Sequence, residues 1–266
     1  MTGGTLQLKA YGSENIYLNA NPQISFFRSV FKRHTNFAME NIELPFEGTT
    51  TMTDSSNSTY VFKIKRYADL LGSIFLVVNL PTIYSSTEQA FQWIKNLGSM
   101  MIVSATLYIG GQKIEEVRGE TINAYHRLSR NYASNLNYNV LIGHTHDMYD
   151  PMMKDLDGRF VYHATNDTKL TPSILGRKLY VPIPFFFENN SGLYLPLIAL
   201  QNTEVEIQIE LRKINELYTI LETRRTEKNY GKRIKPDSNI QSQHILHFTN
   251  ITALKNVEIS FVRISR

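Results

Sequence analysis

From residue 37 onward, apolar side chains recur every second residue over much of the chain, the period of a strand with one dry face and one wet face. Tyr60, Phe62 and Ile64 alternate with Val61, Lys63 and Lys65. Val205, Ile207, Ile209 and Leu211 alternate strictly with Glu204, Glu206, Gln208 and Glu210, the clearest strand in the sequence. Val103, Ala105, Leu107 and Ile109 make one face of another strand. Gly110-Gly111 follows, a pair that accepts the positive φ angles of a tight hairpin, so Gln112 to Val117 is expected to return alongside. Ile74 to Leu80 is nearly continuous apolar and reads as a strand buried on both sides, stopped by Pro81. Leu179, Val181, Ile183, Phe185 and Phe187 share one face of a later strand, with Pro182 and Pro184 on the other. Two prolines remove two ladder donors, so that strand is expected at an edge or with a bulge. Val257, Ile259 and Phe261 begin a last strand.

Two stretches break the alternation: residues 118–176, with a helix expected near Glu120 to Arg130, and the polar run from Asn215 to Gln243. Both read as long loops or insertions between strands. Near the amino terminus the period is helical instead. Asn21-Pro22 supplies an N-cap and a first-turn proline, and Ile24, Phe27 and Phe31 then form a stripe widened by Phe26 and Val30. Arg28, Lys32, Arg33 and His34 crowd the end where positive charge suits the helix dipole. The expected organisation is an arm with an amphipathic helix over residues 1–36, then one all-β domain over 37–266, built as a sandwich or barrel of short strands.

Composition narrows the function more than the fold. The chain has 266 residues, 42% of them hydrophobic and 20% charged, enough for a substantial core. It has no cysteine, which removes disulfides, thiolate nucleophiles and zinc-thiolate sites together. The net charge of +4 comes from 28 basic and 24 acidic residues, a mild excess without a basic ladder interleaved with stacking aromatics, so no specific nucleic acid is expected as partner. No apolar run approaches the ~18 to 20 residues that cross a bilayer, and Met1-Thr2-Gly3-Gly4 lacks the start of a signal peptide. The expectation is a soluble chain made in the cytosol.

Several blocks of residues go beyond periodicity. They are Gly3-Gly4-Thr5-Leu6-Gln7-Leu8 with Ala10-Tyr11-Gly12, Asn21-Pro22-Gln23-Ile24-Ser25-Phe26-Phe27, and Arg33-His34-Thr35-Asn36-Phe37-Ala38-Met39-Glu40. Further along come Ile109-Gly110-Gly111-Gln112-Lys113-Ile114, then Tyr180-Val181-Pro182-Ile183-Pro184-Phe185-Phe186-Phe187, and Leu195-Pro196-Leu197-Ile198-Ala199-Leu200-Gln201. In order and spacing these resemble the signatures of the major capsid proteins of the nucleocytoplasmic large DNA viruses, in their first jelly-roll domain. The resemblance runs from residue 3 to 212, with Val257 to Arg266 similar to the strand that closes the first roll. It departs from the pattern at Asn202-Thr203-Glu204, where an aromatic and a His precede the Glu, and the second jelly roll of the family does not follow.

The resemblance implies a jelly-roll sandwich and a structural, non-enzymatic role in the icosahedral shell of a virion, made in the host cytoplasm. It implies other capsid subunits as partners, in a homotrimer or a pseudo-hexameric capsomer, with minor capsid proteins and an inner viral membrane nearby. With one roll per chain, a six-roll block needs six copies or a different partner, so the isolated chain is expected not to remain a monomer. The interface candidates are Ile24, Phe27 and Phe31 on the amino-terminal helix, Pro182 and Pro184 shaping an edge strand, and the loop from Asn131 to Thr171.

The competing reading is a cupin-like metal-dependent enzyme or a sugar-binding jelly roll that uses His144 and His146. His-x-His places two imidazoles on one face of a strand, and Asp147 stands beside them. The cupin pattern also wants a Gly six residues before the first His and a Glu four or five after the second, where this chain has Tyr138, Asp150 and Pro151. No Gly-x-Ser-x-Gly elbow, Gly-Lys-Ser/Thr phosphate loop or dinucleotide fingerprint occurs, and the expectation is no cofactor and no metal.

The helical stripe gives a direct test. If it docks by its apolar face, Phe27→Asp buries an unpaired charge at a cost of several kcal/mol and lowers the soluble or assembled yield, while Arg28→Ala changes little. Unchanged solubility and assembly with Asp at position 27 would show that the stripe is not buried.

Overall fold

The computed structural model describes residues 36–48, 52–85, 89–129, 131–154, 160–162, 172–189, 191–223, 229–249 and 263–265. The helix expected at 22–34, with Ile24, Phe27 and Phe31, and the strand start at Val257, Ile259 and Phe261 lie outside these residues. The chain divides into two units, Met1–Ala38 and Met39–Arg266, and the described strands and helices belong to the second.

In chain order the strands are β1 (Met39–Asn41), β2 (Phe46–Gly48), β3 (Ser58–Ile64), β4 (Leu70–Leu71), β5 (Phe75–Leu80), β6 (Gln89–Trp93), β7 (Ile102–Ile109) and β8 (Gln112–Arg118). They continue as β9 (Met152–Lys154), β10 (Phe160–Tyr162), β11 (Arg177–Pro182), β12 (Leu195–Pro196), β13 (Val205–Leu211), β14 (Tyr218–Glu222), β15 (Arg233–Ile234) and β16 (Arg263–Ser265). The described α-helices are α1 (Leu97–Met100), α2 (Gly119–Ser129), α3 (Tyr132–Leu141) and α4 (His146–Tyr149). Among the described residues the largest sheet has the order β2-β3-β13-β7-β8, and the others are β1-β16-β4-β12, β15-β14-β6, β11-β5 and the hairpin β9-β10. Every pairing is antiparallel.

The large sheet reflects the period-two pattern. Val205, Ile207, Ile209 and Leu211 of β13 are buried, with Glu206, Gln208 and Glu210 half-buried between them. On β3, Tyr60, Phe62 and Ile64 face the same core, and Lys63 on the wet face lies 3.4 Å from Glu47 and 4.0 Å from Glu206. Gly110 and Gly111 have φ angles of 59° and 76°, so both centres of the β7–β8 turn need the left-handed region that the pair of glycines admits. The register of β7 against β13 slips between Glu210 and Leu211, which places Ile102 opposite Leu211 and Ser104 opposite Glu210. Val103 is the extra residue of this bulge, so Ile102 is buried while Val103 is only half-buried, contrary to the single face expected from Val103 to Ile109.

Other expectations need correction. Ile74, Leu76 and Val78 are buried, but Phe75 and Val77 are half-buried, so β5 is dry on one face only. It pairs with β11 in a two-stranded sheet, agreeing with an edge position for the proline-bearing strand. That strand stops at Pro182, and Phe186–Glu188 forms a 3-10 turn; Leu179, Val181, Ile183, Phe185 and Phe187 are nonetheless all buried. Of the two readings of 118–176, the structure shows an insertion: it contains α2, at the expected position near Glu120, and also α3, α4, β9 and β10. The polar run from Asn215 contains β14, whose Tyr218, Ile220 and Leu221 are buried.

The β14–β6 pair anchors an aromatic cluster. Phe91 stacks on Tyr218 with ring centroids 4.7 Å apart and meets Trp93 at 4.8 Å and Phe248 at 5.5 Å. Burial pushes the Tyr218 phenol well above its ordinary pKa, with the Asp54 carboxylate adding to the effect, so the hydroxyl stays protonated and donates to the Gln243 carbonyl at 2.9 Å. Large side chains are thus closely packed in the core around the β14–β6 pair.

Close packing also sets one backbone position. A Cβ on Gly119, the first residue of α2, would lie 2.1 Å from the Ser99 carbonyl oxygen and 2.3 Å from that of Ile102. Both obstacles are backbone and have little room to yield. Gly119→Ala is expected to cost about 3 kcal/mol, the upper end of overpacking penalties, as a lower urea midpoint with unchanged slope. Wild-type stability in that variant would show that α2 does not approach β7 so closely.

Candidate interface surface

The insertion between β8 and β11 carries most of the chemistry singled out from the sequence, and its centre is α3. Asn131 caps this helix, its Oδ1 accepting from the Ser134 amide at 2.9 Å. At the other end, Gly143 has φ 73°, its amide donates to the Val140 carbonyl at 3.2 Å, and the His144 amide donates to Asn139 at 2.7 Å. These two bonds make a Schellman stop. Both signals stand in the sequence. The segment reads as a loop because Ser134, Asn135, Asn137 and Asn139 are weak helix formers.

One face of α3 is fastened to the sandwich. Tyr138 is buried, its hydroxyl 2.9 Å from Ser99 Oγ and its ring 4.7 Å from the buried His126 of α2. His126 Nε2 lies 3.4 Å from the Pro182 carbonyl and, since a carbonyl only accepts, the ring is the donor. The Gly98 amide donates to the Ile142 carbonyl at 2.8 Å. Arg127 gives its guanidinium to Asn123 at 3.0 Å, Asn96 at 2.7 Å and Asn139 at 3.4 Å, tying α2, the α1 entry and α3 together. Farther on, Asp147 of α4 pairs with Arg177 of β11, and Arg233 of β15 reaches Asp150 at 3.3 Å. Burial works to raise the Asp147 carboxyl, but the Thr145 hydroxyl and the Arg177 guanidinium hold it below its ordinary value.

The opposite face of α3 is apolar and open. Tyr132, Leu136 and Val140, spaced by one helical turn, are 80%, 48% and 61% exposed, and Leu128 at the end of α2 is 87% exposed. Pro182 and Pro184, named as interface candidates, are both buried within the chain, Pro182 at the last pair of β11 opposite Phe75.

The histidine pair does not assemble as a metal site. His144 lies in the turn after α3, where its Nδ1 accepts from the Asn96 amide at 3.3 Å and its ring stacks on Tyr149 at 4.9 Å. His146 opens α4 and faces Asp150 at 3.9 Å. The strand geometry that would point both imidazoles one way is missing, and among the described residues no three His, Cys, Asp or Glu side chains converge as ligands.

Residues 25–248 match the family model described as the major capsid protein N-terminus. The chain belongs to this family. Capsid protein 1 of Acanthamoeba polyphaga mimivirus is 34% identical to it over 226 residues, which cover 82% of this chain and 36% of that protein. The major capsid protein of Phaeocystis pouchetii virus is 34% identical over 223 residues, 81% of this chain and 42% of its own. A solved structure of PBCV-1 VP54, fitted into a reconstruction of the virophage Sputnik, superposes with a TM-score of 0.50 at 20% identity, covering 90% of this chain and 43% of that one. The sandwich is therefore the jelly roll of the capsid family. The chain spans about two fifths of the length of the curated relatives it matches. The metal-enzyme alternative finds no support in the family or in the geometry of His144 and His146.

The surroundings of His144 set its titration. Burial, reinforced by the positive charges of Arg127 and Lys95, lowers its pKa from 6.5, and the Nδ1 that accepts the Asn96 amide must be unprotonated. Because the folded state favours the neutral ring, its contribution to stability is whole above pH 6.5 and is lost as the pH falls through the lower folded value. An NMR titration of the ring is expected to give a midpoint below 6.5. A midpoint at or above that value would mean that the contact with Asn96 does not form.

Proposed function

We propose that this chain is a structural subunit of the outer shell of a large DNA virus, packing with other capsid subunits in a trimer or pseudo-hexameric capsomer. The family match across residues 25–248 carries this reading. The packed interior around Phe91, Tyr218 and Phe248 supports it, since a shell block needs stiffness and no substrate cavity. Antiparallel sheets curled into a sandwich leave side chains and loops to make lateral contacts, and many weak contacts repeated over a lattice add up to a durable shell.

In this reading residues 1–36 form an arm whose Ile24, Phe27 and Phe31 seat against a neighbouring subunit or the inner layer of the particle, near minor capsid proteins and an inner membrane. The domain over 37–266 supplies one roll of the block. Pro182 and Pro184 act by ending β11.

Mass spectrometry of purified virus particles, calibrated with labelled peptides from β3 and β13, tests the role. Copy numbers per particle in the range of a repeating shell component are expected. Peptides found in infected cells but absent from the particles would overturn the reading.

A further inference from the structure

We propose that His144 is an acid-sensitive latch: its neutral ring fastens the insertion to the entry of α1, and a proton on that ring releases the α3–α4 segment while the sheets stay folded. The latch closes on Asn96. Among the described residues this is the one non-glycine with a positive φ, at φ 56° and ψ 41°, a conformation that stores strain unless its surroundings hold it. Three bonds hold it. Its amide donates to His144 Nδ1 at 3.3 Å, its Oδ1 accepts from Arg127 at 2.7 Å, and its carbonyl accepts from the Met100 amide at 2.9 Å. The next residues carry further fastenings of α3, the Gly98 amide donating to the Ile142 carbonyl at 2.8 Å and Ser99 Oγ lying 2.9 Å from the Tyr138 hydroxyl. The helix and the turn after it thus dock on one short segment, 96–99. Of the insertion side chains bonded to that segment, His144 is the one whose bonding capacity changes between pH 5 and 8.

Protonation reverses the sense of this contact. A neutral imidazole that accepts at Nδ1 carries its hydrogen on Nε2, whereas an imidazolium has two N–H donors and no acceptor. The second proton would set Nδ1–H against the Asn96 N–H, donor facing donor. No carboxylate offsets the new charge. The charges that act on the ring are those of Arg127 on α2 and Lys95 ahead of α1, both positive. Tyr149 of α4, on which the ring stacks at 4.9 Å, has Lys95 Nζ 5.2 Å from its own ring centre. The acids of α4 and the turn after it are engaged elsewhere, Asp147 by Arg177 of β11, and Asp150 by Arg233 of β15 at 3.3 Å with His146 at 3.9 Å. His126 of α2 meets the Tyr138 ring and the Pro182 carbonyl instead. The latch is therefore closed at neutral pH and opens as the pH falls below 6.5, the ordinary value that the ring regains once released.

Hydrogen exchange of the full-length chain, read peptide by peptide at pH 7.5 and pH 5.0 and corrected for the intrinsic exchange rate, tests the latch. One proton taken up by a ring with a released value of 6.5 can raise the opening constant at pH 5.0 by at most about thirtyfold. A rise of about tenfold or more is expected in peptides covering 96–101 and 138–149, with peptides from β3 and β13 unchanged. His144→Asn places an amide oxygen where Nδ1 stood, able to accept but not to titrate, and His144→Gln is a second replacement that does not titrate. In both, the ratio of exchange at the two pH values should fall to about one. His146→Asn, at a side chain 64% exposed, should keep the wild-type ratio. A wild-type ratio near one would overturn the proposal. So would a ratio that stays high in both His144 variants, a ratio lost in His146→Asn, or β3 and β13 losing protection in step with the insertion.

Discussion

The burial of alternate side chains along β13, between β3 on one side and β7 on the other, is the constraint on which the rest of the molecule depends. Because the period is two, a slip of one residue would turn Val205, Ile207, Ile209 and Leu211 to water and Glu206, Gln208 and Glu210 into the core. The register is therefore held by the full hydrophobic content of the strand. Hydrogen bonds on the wet face, such as Asn57 to Glu210 at 2.8 Å, conform to that register and do not set it. The bulge at Val103 is absorbed within the same sheet: Ile102 keeps its place in the core opposite Leu211, and Val103 is displaced.

With that sheet in place, the insertion can be carried as a rigid attachment. The first residue of α2 sits against the carbonyls of Ser99 and Ile102, close enough that only glycine fits, and His126 and Tyr138 reach from the two helices to Pro182 and Ser99. What would otherwise be a long polar connection becomes a platform with a fixed outer surface.

Much of the fold was legible because alternation survives wherever one face of a strand is dry. β3 and β13 were readable directly, β8 followed from the Gly110-Gly111 turn before it, and α2 from Glu120 onward was visible as a helix. β6 and β14 were not. Gln89 and Gln92 are buried polar residues in a strand covered on both faces, so polarity no longer reports exposure there, and the Tyr218–Glu222 strand comes after a polar lead-in that masked it. α3 was hidden by its asparagines, although its cap and its stop were both present. His144 and His146 suggested a strand pair, but they lie in the turn after α3 and at the start of α4, where both rings pack against Tyr149.

The sequence by itself determined the all-β class, the buried faces of β3 and β13 and, through ordered motifs, the capsid family, because these depend on local periodicity and on residue blocks that resemble those of the family. Only the tertiary structure decided which face of α3 is anchored and which is open, that Pro182 and Pro184 are buried, and that both histidines of the pair pack against Tyr149. Those outcomes depend on contacts between residues far apart in the chain, such as Ser99 with Tyr138 and Asn96 with His144, and no periodicity encodes which distant partner will arrive to cover a given side chain.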